Sequence, residues 1–275
     1  LPPPVVAPAV AAVADVDIEV EPVEVADVDV VVEPVEVADV EVEPTAGLEA
    51  IQAQLEAGDF EGAEAELTAR LEADDTNAEL HFQLGLTHFK LGEYELAREA
   101  FERSLALDPV RAAAVHHNLG VLAYQTGDLS TALNEFQAAL EADPDDADTH
   151  YQLGATYLVL AFPLEATLPD PDLIAEAQAE FGRALEIAPG KPEALVGLAN
   201  AHMLLSDYDR AIPLLEDVLD GSPDMREALF ALGNAYAAVG ETEKCVATFE
   251  RFLATNPPAV WAQQAEEILA QIAGE

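Results

Sequence analysis

Apolar residues recur at intervals of three and four along most of the chain, on both sides of short polar breaks. The breaks fall at Gly92–Tyr94, Gly127–Leu129, Ser206–Tyr208 and Gly240–Thr242. This spacing places apolar side chains on one face of an α-helix. A break between two such segments indicates a tight turn. The pattern therefore predicts amphipathic helices in pairs, each pair joined by a turn.

The predicted helix pairs are copies of one unit. A Leu followed by a small residue marks each copy, at Leu84–Gly85, Leu119–Gly120, Leu153–Gly154, Leu198–Ala199 and Leu232–Gly233. The second residues are separated by 35, 34, 45 and 34 positions. A Pro closes each copy, at Pro109, Pro144, Pro189, Pro223 and Pro257. Repetition with this period is typical of stacked arrays, in which each unit contacts its neighbours.

A small residue in the second helix follows each mark, and a large apolar residue comes four positions later. The first copy has Ala97 and Phe101 at these places, and the longer copy has Ala177 and Phe181. A Gly inside a helix costs about 1 kcal/mol relative to Ala, so its recurrence needs a compensating contact. We expect Gly85 to face Ala97, so that the two helix backbones approach closely.

These co-spaced residues resemble the tetratricopeptide repeat (TPR) family. The resemblance implies an all-α fold, a TPR helix-turn-helix solenoid. It implies five repeats at 78–258 with an insertion near 161–172, a degenerate repeat at 45–77, and a C-terminal capping helix at 259–275. It also implies a non-enzymatic protein–protein interaction scaffold, because the fold hosts many unrelated partners and no catalytic motif is present.

The resemblance further implies that the first helix of each repeat lines a groove for a partner. The residues expected there are Phe82, Phe89, His117, Tyr124, Tyr151, Leu158, Asn200, Met203, Phe230 and Asn234. An apolar extended segment or an amphipathic helix with basic flanks would suit this set. The alternative is that some of these side chains belong to the core.

Residues 1–44 are predicted to be an extended, strand-prone Pro/Val/acidic arm, with a twelve-residue repeat and no Lys or Arg. Apolar residues alternate with acidic ones, which is typical of an extended strand. The alternating positions are Val16, Ile18, Val20, Val23, Val25, Val28, Val30, Val32, Val35, Val37, Val40 and Val42. Two interpretations remain open. The arm docks on a neighbouring copy and builds an oligomer or filament, or it is a disordered acidic spacer on a soluble adaptor.

The charge balance restricts the partners further. The chain has 54 acidic and 11 basic residues and a formal net charge of −43. Nucleic acid is excluded as a direct partner, because phosphate binding requires clustered Lys and Arg. The arm could collect Ca²⁺ diffusely, as a weaker third hypothesis. No apolar run is long enough to span a membrane.

We expect no catalytic residues, no resident cofactor and no metal centre. His81, His116 and His150 recur in register, but stacked helices lie about 10 Å apart, too far for shared coordination. We therefore expect these imidazoles, and those of His88 and His202, to be packing residues. Cys245 is the single Cys, so no intrachain disulfide can form. The small-residue stretch Ala12–Ala14 favours an extracellular or cell-envelope location, and a cytoplasmic one remains open.

Overall fold

The computed structural model describes residues 48–162 and 168–274. In this part of the chain thirteen α-helices follow one another, so the all-α prediction is confirmed. Their bounds are α1 (Leu48–Glu56), α2 (Phe60–Ala73), α3 (Ala78–Leu91), α4 (Tyr94–Leu107), α5 (Ala112–Gln125), α6 (Leu129–Ala142), α7 (Ala147–Leu160), α8 (Pro171–Ile187), α9 (Pro192–Leu204), α10 (Tyr208–Gly221), α11 (Arg226–Ala238), α12 (Thr242–Ala254) and α13 (Ala259–Gly274). A short 3₁₀ turn, Pro109–Arg111, precedes α5. The predicted arm, with its contact positions from Val16 to Val42, lies outside the described residues.

The helices belong to two compact units, which are described separately. The first unit comprises the described residues up to Leu153, and the second begins at Gly154. Within each unit, helices pack mainly against their neighbours in sequence, such as α3 against α4 and α11 against α12. This is the contact pattern of a stacked array of hairpins.

The turns inside the hairpins follow one local rule. Gly92, Gly127 and Gly240 have φ between 76° and 82°, a left-handed conformation that Gly adopts without steric cost. Ser206 takes the same place between α9 and α10 with φ 58°. An acidic residue precedes the next helix at each of these turns, and before α6 it caps the helix: Asp128 accepts a hydrogen bond from the Thr131 backbone N–H at 3.1 Å. Such caps satisfy N–H groups that have no partner within the helix.

The recurring Gly of each first helix faces a phenyl ring, which differs from the expected contact with Ala97. A Cβ on Gly85 would lie 2.6 Å from the Phe101 ring, and Gly120 faces Phe136 in the same way. Ala97 is buried beside this contact and leaves room for it. The absence of a side chain on the Gly therefore makes space for an aromatic ring.

In the second unit two glycines flank one ring. Gly154 of α7 and Gly197 of α9 both lie against Phe181 of α8, and an added Cβ would come within 2.9 Å and 2.6 Å of it respectively. In α9 the repeated mark of the sequence is Leu198–Ala199. Gly197 directly precedes this mark, and the sequence pattern did not predict its contact with the ring. Phe181 is fully buried as a result.

The predicted insertion separates α7 from α8 and is closed at its base. The Asp170 N–H donates to the Ala161 carbonyl at 2.8 Å. The Asp170 side chain then caps α8 by accepting from the Asp172 N–H at 2.9 Å. Leu168 is 77% exposed, and residues 163–167 lie outside the described part.

The last helix covers the aromatic end of the second unit. Trp261 of α13 stacks on Phe230 with ring centroids 5.2 Å apart, and Phe252 lies next to both rings. Ala265 is fully buried in the same cluster. None of the helices in the described ranges combines the length and the apolar character that a membrane crossing requires.

Candidate functional site

The predicted groove positions of the first unit are largely packed. Phe82 and Tyr124 are both 5% exposed, whereas Phe89, His117 and Tyr151 are half-buried. The Phe82 ring lies 5.7 Å from that of Phe101. Burial raises the pKa of the Tyr124 hydroxyl to about 12. Phe82 and Tyr124 thus contribute to the core of this unit.

His117 links α5 to the start of α7. Its Nδ1 lies 2.6 Å from the Thr149 hydroxyl oxygen. The Thr149 hydroxyl donates to the Asp146 carboxylate, so its oxygen is free to accept from the imidazole N–H. These three groups form a chain of polar contacts that joins consecutive hairpins.

The corresponding positions of the second unit are more buried and include two amides. Leu158, Met203, Asn200 and Asn234 are 2%, 5%, 4% and 8% exposed. Phe230 is half-buried and stacks on Trp261 of the capping helix. The two Asn residues occupy equivalent places, one residue after the mark of α9 and of α11, 34 positions apart. These two helices contact each other directly.

Asn200 carries an unusual atom. Its side-chain oxygen is buried and has no hydrogen-bond partner among the described residues. Leaving a buried acceptor without a donor costs about 1–3 kcal/mol. Native structures contain few such groups, and each requires an explanation.

The charges at the edge of these helices are mixed but mainly acidic. Glu193 is exposed at the first turn of α9, where Lys191 lies 3.8 Å from it. Glu227 lies at the first turn of α11. Further along α11, the Tyr236 hydroxyl donates to Glu216 at 2.5 Å, and burial together with this carboxylate raises the tyrosine pKa. The interior of α9 and α11 is apolar apart from the two Asn side chains and the hydroxyl of Tyr236.

The histidines that recur in register have local partners. The Nε2 atoms of His81 and His150 lie 3.0 Å from the Asp75 carbonyl and 3.1 Å from the Pro144 carbonyl, each six residues earlier. His116 Nδ1 lies 2.7 Å from Glu135. His81 and His150 thus contact the loop that precedes their own helix, and His116 contacts the second helix of its own hairpin.

A different group of side chains in the described residues could hold a metal ion. It consists of Glu64, His88 and Glu93, whose potential ligand atoms all lie within 4.8 Å of one another. The sequence pattern predicts only a packing role for His88 and gives no sign that Glu64 lies beside it. Because the three residues come from α2, α3 and the turn before α4, the hairpin stacking was needed to bring them together.

Comparison with known proteins identifies the repeats. Family models described as tetratricopeptide repeat match residues 75–145, 173–226 and 203–272. No curated protein is similar enough in sequence to match the chain.

Solved structures match over most of the chain. PilF of Pseudomonas aeruginosa is 19% identical, with a TM-score of 0.67, and the match covers 80% of this chain and 95% of that one. PilW, a type IV pilus biogenesis factor, is 18% identical, with a TM-score of 0.66 and coverages of 78% and 94%. YrrB, a TPR protein with an unusual peptide-binding site, is 20% identical, with a TM-score of 0.54 and coverages of 73% and 97%. At these identities the likeness shows the fold alone.

Proposed function

Since the chain belongs to the tetratricopeptide repeat family, whose fold supports protein–protein interaction scaffolds in general, we propose that its second unit binds a segment of a partner protein along α9 and α11. The observation that carries this proposal is the buried, unpaired side-chain oxygen of Asn200. Because Asn200 is only 4% exposed, its side chain would turn outward on binding, and a backbone N–H of the bound segment would then satisfy the oxygen. Asn234 offers a second amide at the equivalent place of the next repeat.

The spacing of the two amides suits an extended chain. Packed helices lie about 8–10 Å apart, and an extended strand rises about 3.3 Å per residue. Asn200 and Asn234 would therefore contact backbone groups about three residues apart. An Asn side chain both donates and accepts, so each can bind the N–H and C=O groups of one peptide unit.

The partner's side chains follow from the surroundings. Asn200 lies in the same helix as Met203, which belongs to the apolar core, so a segment that reaches the amide would enter apolar surroundings and would need apolar side chains. The edge carries Glu193 and Glu227, and the whole chain has a net charge of −43. A segment with basic flanks would be attracted, and its association rate would fall as salt is added. An acidic segment would be repelled.

A substitution at Asn200 tests this function without destabilising the fold. Asn200→Leu removes the unpaired oxygen and keeps the volume, so the fold should become more stable while peptide binding is lost. Random peptides selected by phage display on the full chain would be measured by calorimetry. We expect Asn200→Leu to weaken the selected peptides about 10-fold or more, given about 1–3 kcal/mol per lost hydrogen bond to a buried group. Asn134→Leu, on the exposed face of α6, is the matched control.

Equal binding to the parent and to Asn200→Leu would refute this assignment of the groove. So would a loss of stability in Asn200→Leu, because it would mean that the amide already has a structural role.

Self-assembly through the N-terminal arm is a second candidate. It is supported by the sequence, in which the nine residues Val20–Val28 recur unchanged at Val32–Val40. Fully extended, the 44 residues of the arm would reach about 145 Å, at about 3.3 Å per residue. We propose that the arm of one copy docks on another and forms an oligomer or filament, at the cell envelope or outside the cell. Light scattering of a variant lacking residues 1–44 tests this, and an unchanged mass would exclude it.

A further inference from the structure

We propose that Glu64, His88 and Glu93 form a binding site for one divalent transition-metal ion, with Zn²⁺ as the best-fitting candidate. His88 is 6% exposed and is held near the end of α3, with its Nδ1 2.6 Å from the Glu93 carboxylate. Glu64 approaches from α2, and all three ligand atoms lie within 4.8 Å of one another. Zinc binds nitrogen and oxygen at about 2.0–2.2 Å, so side-chain shifts of under about 1 Å would bring the three atoms to one ion.

The donor set suits the ion. One imidazole nitrogen and two carboxylate oxygens are ligands that Zn²⁺ and similar ions accept, whereas Ca²⁺ and Mg²⁺ favour oxygen alone. Three protein ligands leave a fourth position of a tetrahedral ion for water. His88 Nδ1 and the Glu93 carboxylate already lie 2.6 Å apart, and a bound ion would lie between these two ligand atoms.

The second carboxylate makes this site electrostatically unfavourable without a cation. Glu64 and Glu93 bring like charges together around one imidazole, in a chain that already has a net charge of −43. Within the described residues, neither carboxylate forms an ion pair with a Lys or Arg. Like charges at this separation repel, and a divalent cation between them would reverse that repulsion.

The second unit contains the same arrangement with one ligand replaced. Glu64 follows Ala63, and Gln178 follows Ala177, which is the equivalent small residue of α8. His202 corresponds to His88, because each lies three residues after the mark of its helix, and Asp207 corresponds to Glu93. Here the Gln178 amide lies 3.2 Å from His202 Nδ1, and Asp207 lies 3.6 Å from the same atom. An amide completes the packing around this His, so packing alone does not require a carboxylate at Glu64.

Another repeat junction shows that this position is variable. In the first unit the corresponding residues are Arg98, Ala123 and Asp128, and they line a cavity of about 160 Å³. These three junctions thus present the same place with different chemistry in each. Among the described residues, the trio at Glu64 is the group that offers three metal ligands.

The test uses the full chain, stripped with a chelator and titrated with ZnCl₂ by calorimetry. About 0.3 M NaCl keeps the Debye length below about 8 Å, which suppresses diffuse binding to the acidic surface. We expect one stoichiometric binding event. Glu64→Gln, which recreates the trio of the second unit, and His88→Gln should each weaken it at least about 10-fold.

The matched control is His202→Gln, which should leave the event unchanged. Circular dichroism of each variant checks that the helices are intact, and Glu64→Gln is the decisive variant because it alters only a half-buried side chain. With Co²⁺ in place of Zn²⁺, visible absorption bands should appear and should be absent in Glu64→Gln. Absence of a stoichiometric event, an event unchanged in Glu64→Gln, or an event lost in His202→Gln would overturn the proposal.

Discussion

Replacing Gly197 by Ala should reveal how tightly the ring of Phe181 is held. The new Cβ would lie 2.6 Å from both Cε1 and Cζ of Phe181, closer than carbon atoms approach without displacement. Phe181 cannot retreat easily, because its ring also lies against Gly154, where a Cβ would be 2.9 Å from Cε1. The substitution therefore adds a methyl group to a site that has no room for it.

The size of the effect follows from a comparison with Gly182. Both residues lie inside helices of the second unit, and nothing lies within 4 Å of a Cβ placed on Gly182. Each Gly→Ala change should stabilise its helix by about 1 kcal/mol through propensity alone. Overpacking a core costs about 1–3 kcal/mol. The free energies of unfolding of Gly197→Ala and Gly182→Ala should thus differ by about 1–3 kcal/mol, because the propensity gain cancels between them.

Urea unfolding followed by fluorescence measures this difference. Trp261 is the single Trp and lies in the core of the same unit, so its emission reports the unit that carries both substitutions. In a thermal melt each 1 kcal/mol corresponds to about 2–4 °C. Equal stability of the two Ala variants would refute the close contact between Gly197 and Phe181.

A second substitution tests whether the Phe181 side chain causes the loss of stability. Phe181→Leu shortens the side chain that meets the new methyl group, so Gly197→Ala should be much less destabilising in that background. A coupling free energy of about 0.5 kcal/mol or more is expected for residues in contact. If the two substitutions changed the free energy of unfolding additively, the strain in Gly197→Ala would not come from the Phe181 ring.

Four further outcomes can be measured on the same protein. Ser206→Gly should raise the free energy of unfolding by about 0.5–1 kcal/mol, because Gly relieves the left-handed backbone at φ 58° but loses more entropy on folding; a less stable variant would contradict this. Burial raises the pKa of the Cys245 thiol to about 11, so Ellman's reagent should label the native protein at least about 10-fold more slowly than the unfolded one; equal rates would contradict the burial. Burial lowers the pKa of His202, so the stability that this residue contributes is present above its unfolded pKa of about 6.5 and is lost as the pH falls through the folded value. In His202→Gln the free energy of unfolding should therefore fall less steeply below about pH 6.5 than in the parent. An unchanged slope would argue against the shift. Because the net charge is −43, the midpoint of thermal unfolding should rise between about 0.01 M and 0.5 M NaCl as screening shortens the Debye length from about 30 Å; a salt-independent midpoint would show that self-repulsion does not limit stability.

The hairpins and their turns could be predicted from the sequence because local signals determine them. Apolar spacing, a left-handed Gly and a terminating Pro act within one or two helical turns. The partner of Gly85 could not be assigned in the same way, because Ala97 and Phe101 lie on the same face of α4. Their side-chain sizes and directions decide which one reaches the Gly, and the ring of Phe101 extends further.

Contacts between hairpins were harder to predict. Gly197 does not belong to the repeated Leu–Gly mark. It contacts the ring of Phe181, which belongs to the preceding hairpin rather than to its own. The trio around His88 joins residues 24 and 5 positions away from it. Aligning each repeat with the next, and comparing residues across the junction, would have placed Glu64 beside His88 and Gln178 beside His202.

The hydrogen bond between the Asp170 N–H and the Ala161 carbonyl also has a practical use. Since this hydrogen bond joins the two ends of the segment between α7 and α8 at 2.8 Å, it already holds the end of α7 close to the start of α8. Doubling the length of a closed loop costs only about 0.6 kcal/mol. A peptide tag or a small binding motif grafted between these two residues should therefore be displayed on the surface while Phe181 and its neighbours stay packed.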